Sequence, residues 1–220
     1  MNKNQAASAD QLYIKRLISE GEHQQLDFKF AINDSRKIAR SLVAFANTDG
    51  GTLLVGVKDN GSIAGVRSDE EYYMVEAAAN MYCKPEIPFK ANKWLIEGKT
   101  VLEIIIERSN NACFANDENG NWLAYVRVND QNILANNVLL EVWKRKTKLD
   151  GIYIEYSKAE RELISYLEEN EQITISKFSR LAHITLKQAE EIVINLICLD
   201  IVKIQLTEKG AHYSLNKREE

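Results

Sequence analysis

Proline is scarce in this chain, with Pro85 and Pro88 the two examples among 220 residues, and glycine numbers only ten. So few backbone breakers exclude collagen-like and Pro/Gly-rich disordered chains. Cys83, Cys113 and Cys198 are odd in number and widely spaced. That spacing offers neither a disulfide framework nor a C-x-x-C metal site, so buried, reduced thiols are expected. His23, His183 and His212 are equally scattered, which argues against structural zinc. No apolar run approaches the roughly 20 residues that cross a bilayer, and the polar start MNKNQAASAD lacks the apolar core of a signal peptide. The expectation is a cytoplasmic protein with no membrane partner. A dominant charge is also missing: the net charge is -4, with 27% charged and 45% hydrophobic residues. Such a balance is globular, and its mild acidity leaves room only for a local nucleic-acid patch.

What is present is organised around residues 47–66, NTDGGTLLVGVKDNGSIAGV. Gly50 and Gly51 stop a helix, and Thr52 to Val55 is a short, apolar run read as a buried strand. Asn60-Gly61 predicts a type I′ turn that returns Ser62 to Val66 beside Leu53 to Val57. Upstream, Asp10 is expected to cap a helix with Leu12, Ile14, Leu17 and Ile18 inward, closed by Gly21. Period-two alternation places Leu26, Phe28 and Phe30 on a core face, with Asp27 and Lys29 opposite. Asp34 or Ser35 caps a helix that buries Ile38, Leu42 and Phe45 and presents Arg36, Lys37 and Arg40 outward.

Downstream, the pattern predicts a helix from Ser68 or Asp69 to about Cys83, then a hairpin of Trp94–Ile96 and Val101–Ile106. Strands at 112–115 and 122–128 and a helix at 137–146 complete a mixed α/β domain. The division expected is a first domain over 1–148, a linker over 149–156 and a second domain over 157–220. In the latter, helices at 157–169, 174–182 and 185–199 precede a hairpin, the pattern of a winged helix-turn-helix. The fold class is therefore α+β, followed by a small winged helix-turn-helix domain.

Three constellations bear on chemistry. Glu22, Asp27 and Asp59 are carboxylates of the kind that hold Mg²⁺ or Mn²⁺ against a phosphodiester, although an ordinary solvent-facing strand position for Asp27 and hairpin-turn position for Asp59 are the stronger explanation from residue pattern alone. Lys29, Arg36, Lys37 and Arg40 form a basic group suited to phosphates. In the second domain, Lys177, Arg180, Lys187 and Gln188 are the expected nucleic-acid contacts, Lys187 and Gln188 standing at the start of a recognition helix. Residues 151–220 nevertheless carry nine Lys and Arg against twelve Asp and Glu, which opposes DNA binding. ATP is not supported. Gly98-Lys99-Thr100 lacks the preceding glycine of a phosphate loop and leads into a strand.

The run from Glu22 through Leu26-Asp27-Phe28-Lys29, then Ala44 to Thr48, Gly50 to Leu54, Gly56-Val57, Asp59, Gly61, Ile63 and Gly65, resembles the Schlafen AlbA_2 domain. Ala124 to Val128 is similar to that family's closing strand. The resemblance implies an AlbA_2-like α/β fold and a DNA-binding transcriptional regulator with a C-terminal winged helix, needing no cofactor. Its partners would be nucleic acid, DNA before RNA, and a second copy in a homodimer. It also implies an alternative, a divalent-metal-dependent ribonuclease using Glu22, Asp27 and Asp59, although His23 and Asp27 depart from the family's usual Ser and Glu. A third reading is a protein-interaction or dimerisation adaptor.

Overall fold

The computed structural model describes residues 3–147 and 156–217, with side chains from residue 11 onward. The chain folds as two compact units, Met1–Leu134 and Ala135–Glu220. Among the described residues no helix is long and apolar enough to cross a membrane.

In the first unit, α1 (Lys3–Glu20), β1 (Leu26–Lys29), α2 (Ser35–Ala46) and β2 (Gly51–Val55) precede α3 (Glu70–Met81). They are followed by β3 (Cys83–Lys84), β4 (Phe89–Ile96), β5 (Lys99–Ile106), β6 (Phe114–Asn116), β7 (Trp122–Leu123), β8 (Tyr125–Val128) and β9 (Gln131–Leu134). The central sheet has the order β1-β2-β5-β4, with β1 and β2 parallel and the remaining pairs antiparallel. Leu53, Val55, Leu102 and Ile104 pack on one side with α2 and α3 residues. Leu26, Phe28, Leu54 and Val101 pack on the other with Ile14 of α1. Smaller sheets, β3-β6-β7 and β8-β9, flank this sandwich.

Burial on both faces explains the first differences from expectation. Asp27 is 3% exposed, because α2 covers the face that simple alternation assigns to solvent, while Phe30 lies just past the end of β1 and is 48% exposed. Helix α1 begins well before Asp10, so that residue lies inside the helix, and Leu12 is exposed while Tyr13 turns inward. The Tyr13 hydroxyl donates to the buried Glu103 carboxylate at 2.7 Å. Burial, and then this bond and charge, push the Tyr13 pKa up to about 12. Asn92 and Trp94 each donate to Glu103 at 2.9 Å, so the inward carboxylate has three hydrogen-bond donors.

The return strand expected at 62–66 is a single bridge, Val57 to Ile63; β5 takes the place beside β2. Only Gly61 of the turn pair has positive φ, so the turn is not type I′, which needs two such residues. Gly56 bends the chain out of the sheet, and a Cβ there would meet Gly65 and Val66 backbone at 2.9 Å. The type I′ geometry appears instead at Glu97-Gly98, between β4 and β5, where both φ values are positive. The pairing of β8 with β9 has no counterpart among the strands expected from the sequence.

In the second unit, α4 (Asn137–Lys146), α5 (Lys158–Glu169), α6 (Ile175–Leu181) and α7 (Leu186–Cys198) precede β10 (Val202–Thr207) and β11 (Gly210–Leu215). Ile173 pairs with Tyr213 of β11. The helix at 137–146 therefore belongs here rather than to a first domain ending at 148. Val138 and Val142 share a core with Leu163, Phe178 and Val193, and Arg145 reaches Asn195 and Glu191 on α7. The expected linker, 149–156, lies outside the described residues except for Tyr156. Residues 135–220 hold thirteen Lys and Arg against fourteen Asp and Glu, so inclusion of α4 brings the unit close to neutral.

Candidate functional site

The end of α2 builds a clasp. Asn47 Nδ2 donates to the carbonyls of Cys113 and Tyr125, both at 2.9 Å, and its Oδ1 accepts the Cys113 amide at 2.8 Å. Thr48 Oγ1 accepts the Arg127 amide at 2.9 Å. Asp49 accepts from Gln24 through its carboxylate and from Gln25 through its carbonyl. Gly51 completes the close approach, since a Cβ would lie 2.4 Å from the Phe45 ring. Three successive polar residues thus tie β8 and the chain before β1 to one helix terminus.

That clasp delivers Arg127 to Asp27. The Arg127 side chain is 1% exposed, and its Nη2 lies 3.3 Å from Asp27 Oδ1 and 3.2 Å from the Leu26 carbonyl. Nη1 donates to Asn132, which donates to Ser41 of α2, and the guanidinium stands over the Phe45 ring. Lys29 Nζ lies 2.7 Å from Asp27 Oδ2; the contact is an ion pair without hydrogen-bond alignment, as Nζ donates to the Phe28 carbonyl. Glu22 accepts the Phe28 amide at 2.8 Å. Desolvation first, then a hydrogen bond with Asp27, raises the Glu22 pKa above the ordinary carboxylate range.

Of the three acids considered as a metal set, the structure brings Glu22 and Asp27 together and leaves Asp59 out. Asp59 is exposed in the turn beyond Gly56, whereas Asp27 is level with Leu53 in the sheet. Among the described residues no group of three or more His, Cys, Asp or Glu side chains is arranged to hold a metal ion. Asp27 is already engaged by two cations and Glu22 by the Phe28 amide and Asp27. As arranged, these residues do not fit a Mg²⁺ or Mn²⁺ centre. Sequence reasoning missed Arg127, whose signal was a lone cation within the apolar run Tyr125 to Val128.

The basic residues separate into engaged and free groups. Lys29 is held by Asp27. On α2, Asp34 caps the helix by accepting the Arg36 amide at 2.8 Å, and Lys37 is exposed. Arg36 stands over the Tyr82 ring at 5.0 Å and Arg40 over Tyr125 at 6.0 Å. In the second unit Lys177 stands over Tyr166, Arg180 donates to the Ser176 carbonyl at 3.2 Å, and Lys187 is exposed. Gln188 closes a capping box: its Oε1 accepts the Thr185 amide at 3.0 Å, and Thr185 Oγ1 accepts the Gln188 amide.

The family model for Schlafen, AlbA_2 matches residues 22–136. The chain belongs to the Schlafen AlbA_2 family. The AlbA_2 match begins at Glu22 and includes the clasp, Asp27, Arg127 and the whole central sheet. Among solved structures, the DIP2311 protein from Corynebacterium diphtheriae is similar at 18% identity with TM-score 0.43, over 88% of this chain and 34% of that one. The N-terminal domain of a RecG-related protein from Nitrosomonas europaea is similar at 18% identity with TM-score 0.39, over 56% of this chain and 95% of that one. This AlbA_2 chain thus spans about a third of the DIP2311 chain. No curated protein matches it.

Proposed function

We propose that this AlbA_2 protein binds nucleic acid and acts as a DNA-binding transcriptional regulator, with residues 157–217 serving as a winged helix-turn-helix. One observation carries the reading: α7 is anchored by one side and free at its start. Ala189, Val193, Ile194, Leu196 and Ile197 are buried, while Leu186, Lys187 and Gln188 stand in solvent behind the Thr185 cap. Helix-turn-helix readers present side chains to base edges from that first turn. Lys177 and Arg180 on α6 supply phosphate contacts beside it, Lys187 a further one, and the Gln188 Nε2 amide is available to a base acceptor. In the first unit, Arg36, Lys37 and Arg40 on α2 offer phosphate contacts of their own; Lys29 is excluded because Asp27 holds it. A homodimer would present two such helices to two half-sites.

The test is anisotropy of a labelled DNA duplex across a salt series, with light scattering on the same samples. Binding with a steep salt slope is expected, and Lys187→Ala and Arg180→Ala should each flatten that slope by about one. A monomer that ignores duplex DNA at low salt overturns the proposal and returns the second unit to an adaptor role.

A further inference from the structure

We propose that the first unit carries its own surface for single-stranded nucleic acid, formed by Arg36, Arg40 and Lys84 beside the rings of Tyr82, Tyr125 and Trp122. This deepens the nucleic-acid reading above and rests on it; it shares Arg36 and Arg40 with that reading, adds Lys84 and three aromatic rings, and concerns another form of the polymer. Arg36 and Arg40 lie one turn apart on α2, with their guanidinium carbons 5.0 Å from the Tyr82 centroid and 6.0 Å from the Tyr125 centroid. Lys84 Nζ lies 5.9 Å from the Trp122 centroid. The backbone joins these pairs into one region. The Tyr82 carbonyl accepts the Asn116 amide at 2.9 Å, Asn116 is opposite Trp122 in the β6-β7 ladder, and Asn47 at the end of α2 holds the Tyr125 carbonyl.

Charge points to the occupant. Elsewhere in this unit Lys15, Arg16, Lys29, Lys90, Lys93 and Arg127 each lie within ion-pair distance of a carboxylate, while Lys58, Arg67, Lys99 and Arg108, scattered over other elements, form no ion pair among the described residues. Among the described residues Arg36, Arg40 and Lys84 form no ion pair, nor does the neighbouring Lys37, and Nε of both arginines has no hydrogen-bond partner. Asp117 lies close enough to feel Arg40, but its oxygens accept from the amides of Asn119 and Asn121 and from the Asn121 side chain. A polyanion is therefore the complementary ligand.

Aromatic rings and guanidinium planes select its form. Bases stack on both, and flanking cations follow the phosphates. A duplex hides its base faces, whereas an unpaired strand offers them. The two arginines are about 6 Å apart along the helix, wider than the roughly 3.4 Å step of a stacked strand. That spacing suits bases splayed apart. Trp122 is 42% exposed and open to such contact.

The test uses the full chain, labelled oligothymidylate and oligouridylate of about 12 nucleotides, and a labelled duplex. Both single strands should bind at low salt, and the tighter of the two identifies DNA or RNA as the source. Trp122→Ala should weaken single-strand binding by about 5- to 100-fold, from the loss of one stacking platform, while Trp122→Phe restores it and duplex affinity stays unchanged. Unchanged melting of both variants verifies the fold. Failure of both strands to bind at low salt overturns the proposal, as does wild-type single-strand affinity in Trp122→Ala. Loss of duplex binding with single-strand binding intact sinks the regulator and sustains this surface.

Discussion

Arg127 and Asp27, a hundred positions apart in sequence, meet in the interior of the first unit with Nη2 3.3 Å from Oδ1. The contact joins β8 to β1. Removing one member of a buried ion pair costs about 3–5 kcal/mol where the other charge is left without compensation; Lys29 still faces Asp27 at 2.7 Å, which places the loss at the lower end, about 3 kcal/mol. Arg127→Met should therefore lower unfolding free energy by about that amount in urea titration. Arg127→Met combined with Asp27→Asn should recover part of it, since the buried carboxylate that lost one of its two cations is gone. A single variant as stable as wild type would show that the pair contributes nothing net.

Glu22 sets a pH dependence. Its folded pKa lies above the ordinary value of 4.5, chiefly through desolvation and then through the hydrogen bond with Asp27. A raised carboxyl pKa means that the folded state prefers the proton. The associated stability is present below the unfolded value and lost as pH rises through the folded one. Glu22→Gln keeps an acceptor for the Phe28 amide and needs no proton. Its melting temperature should exceed that of wild type at neutral pH, and the gap should close on acidification. A gap independent of pH would assign the effect to packing.

Asn47 makes three hydrogen bonds across the clasp. At about 1 kcal/mol for each, Asn47→Ala should cost about 3 kcal/mol, and hydrogen exchange at the Cys113 amide should accelerate. Exchange that stays slow at Cys113 would mean that β6 is held without the clasp.

The three thiols should react slowly. Burial pushes the Cys83 pKa up to about 12 and raises Cys113 and Cys198 to lesser extents. Thiolate is the reactive form, so native labelling by iodoacetamide near neutral pH should be slow. Cys198, the most accessible of the three, should appear first by mass spectrometry. Early labelling of Cys83 would contradict this order.

Much of the local structure was legible from short-range pattern. The period of Ile38, Leu42 and Phe45 located α2, Asp34 marked its start, and the helices and final hairpin of the second unit lie where their patterns place them. The residues 47–51 stood out as a helix stop, while the hydrogen bonds that make them a clasp involve Cys113, Tyr125 and Arg127, far along the chain. Asp27 looked solvent-facing because alternation reports which residues share a side, without reporting whether a helix covers that side.

The sequence by itself determined most of the helices, the Asp34 cap of α2, the final hairpin and the residue types available for charge and stacking, because these follow from periods of two and 3.6 residues and from side-chain chemistry. Tertiary structure alone decided that β1 lies parallel to β2, that Arg127 neutralises Asp27 while Asp59 stays outside, and that α4 joins the second core. It also decided which cations found carboxylates and which were left over aromatic rings. Each of these outcomes depends on closing loops of tens of residues, where the burial of distant side chains selects one pairing among many that local pattern leaves equivalent.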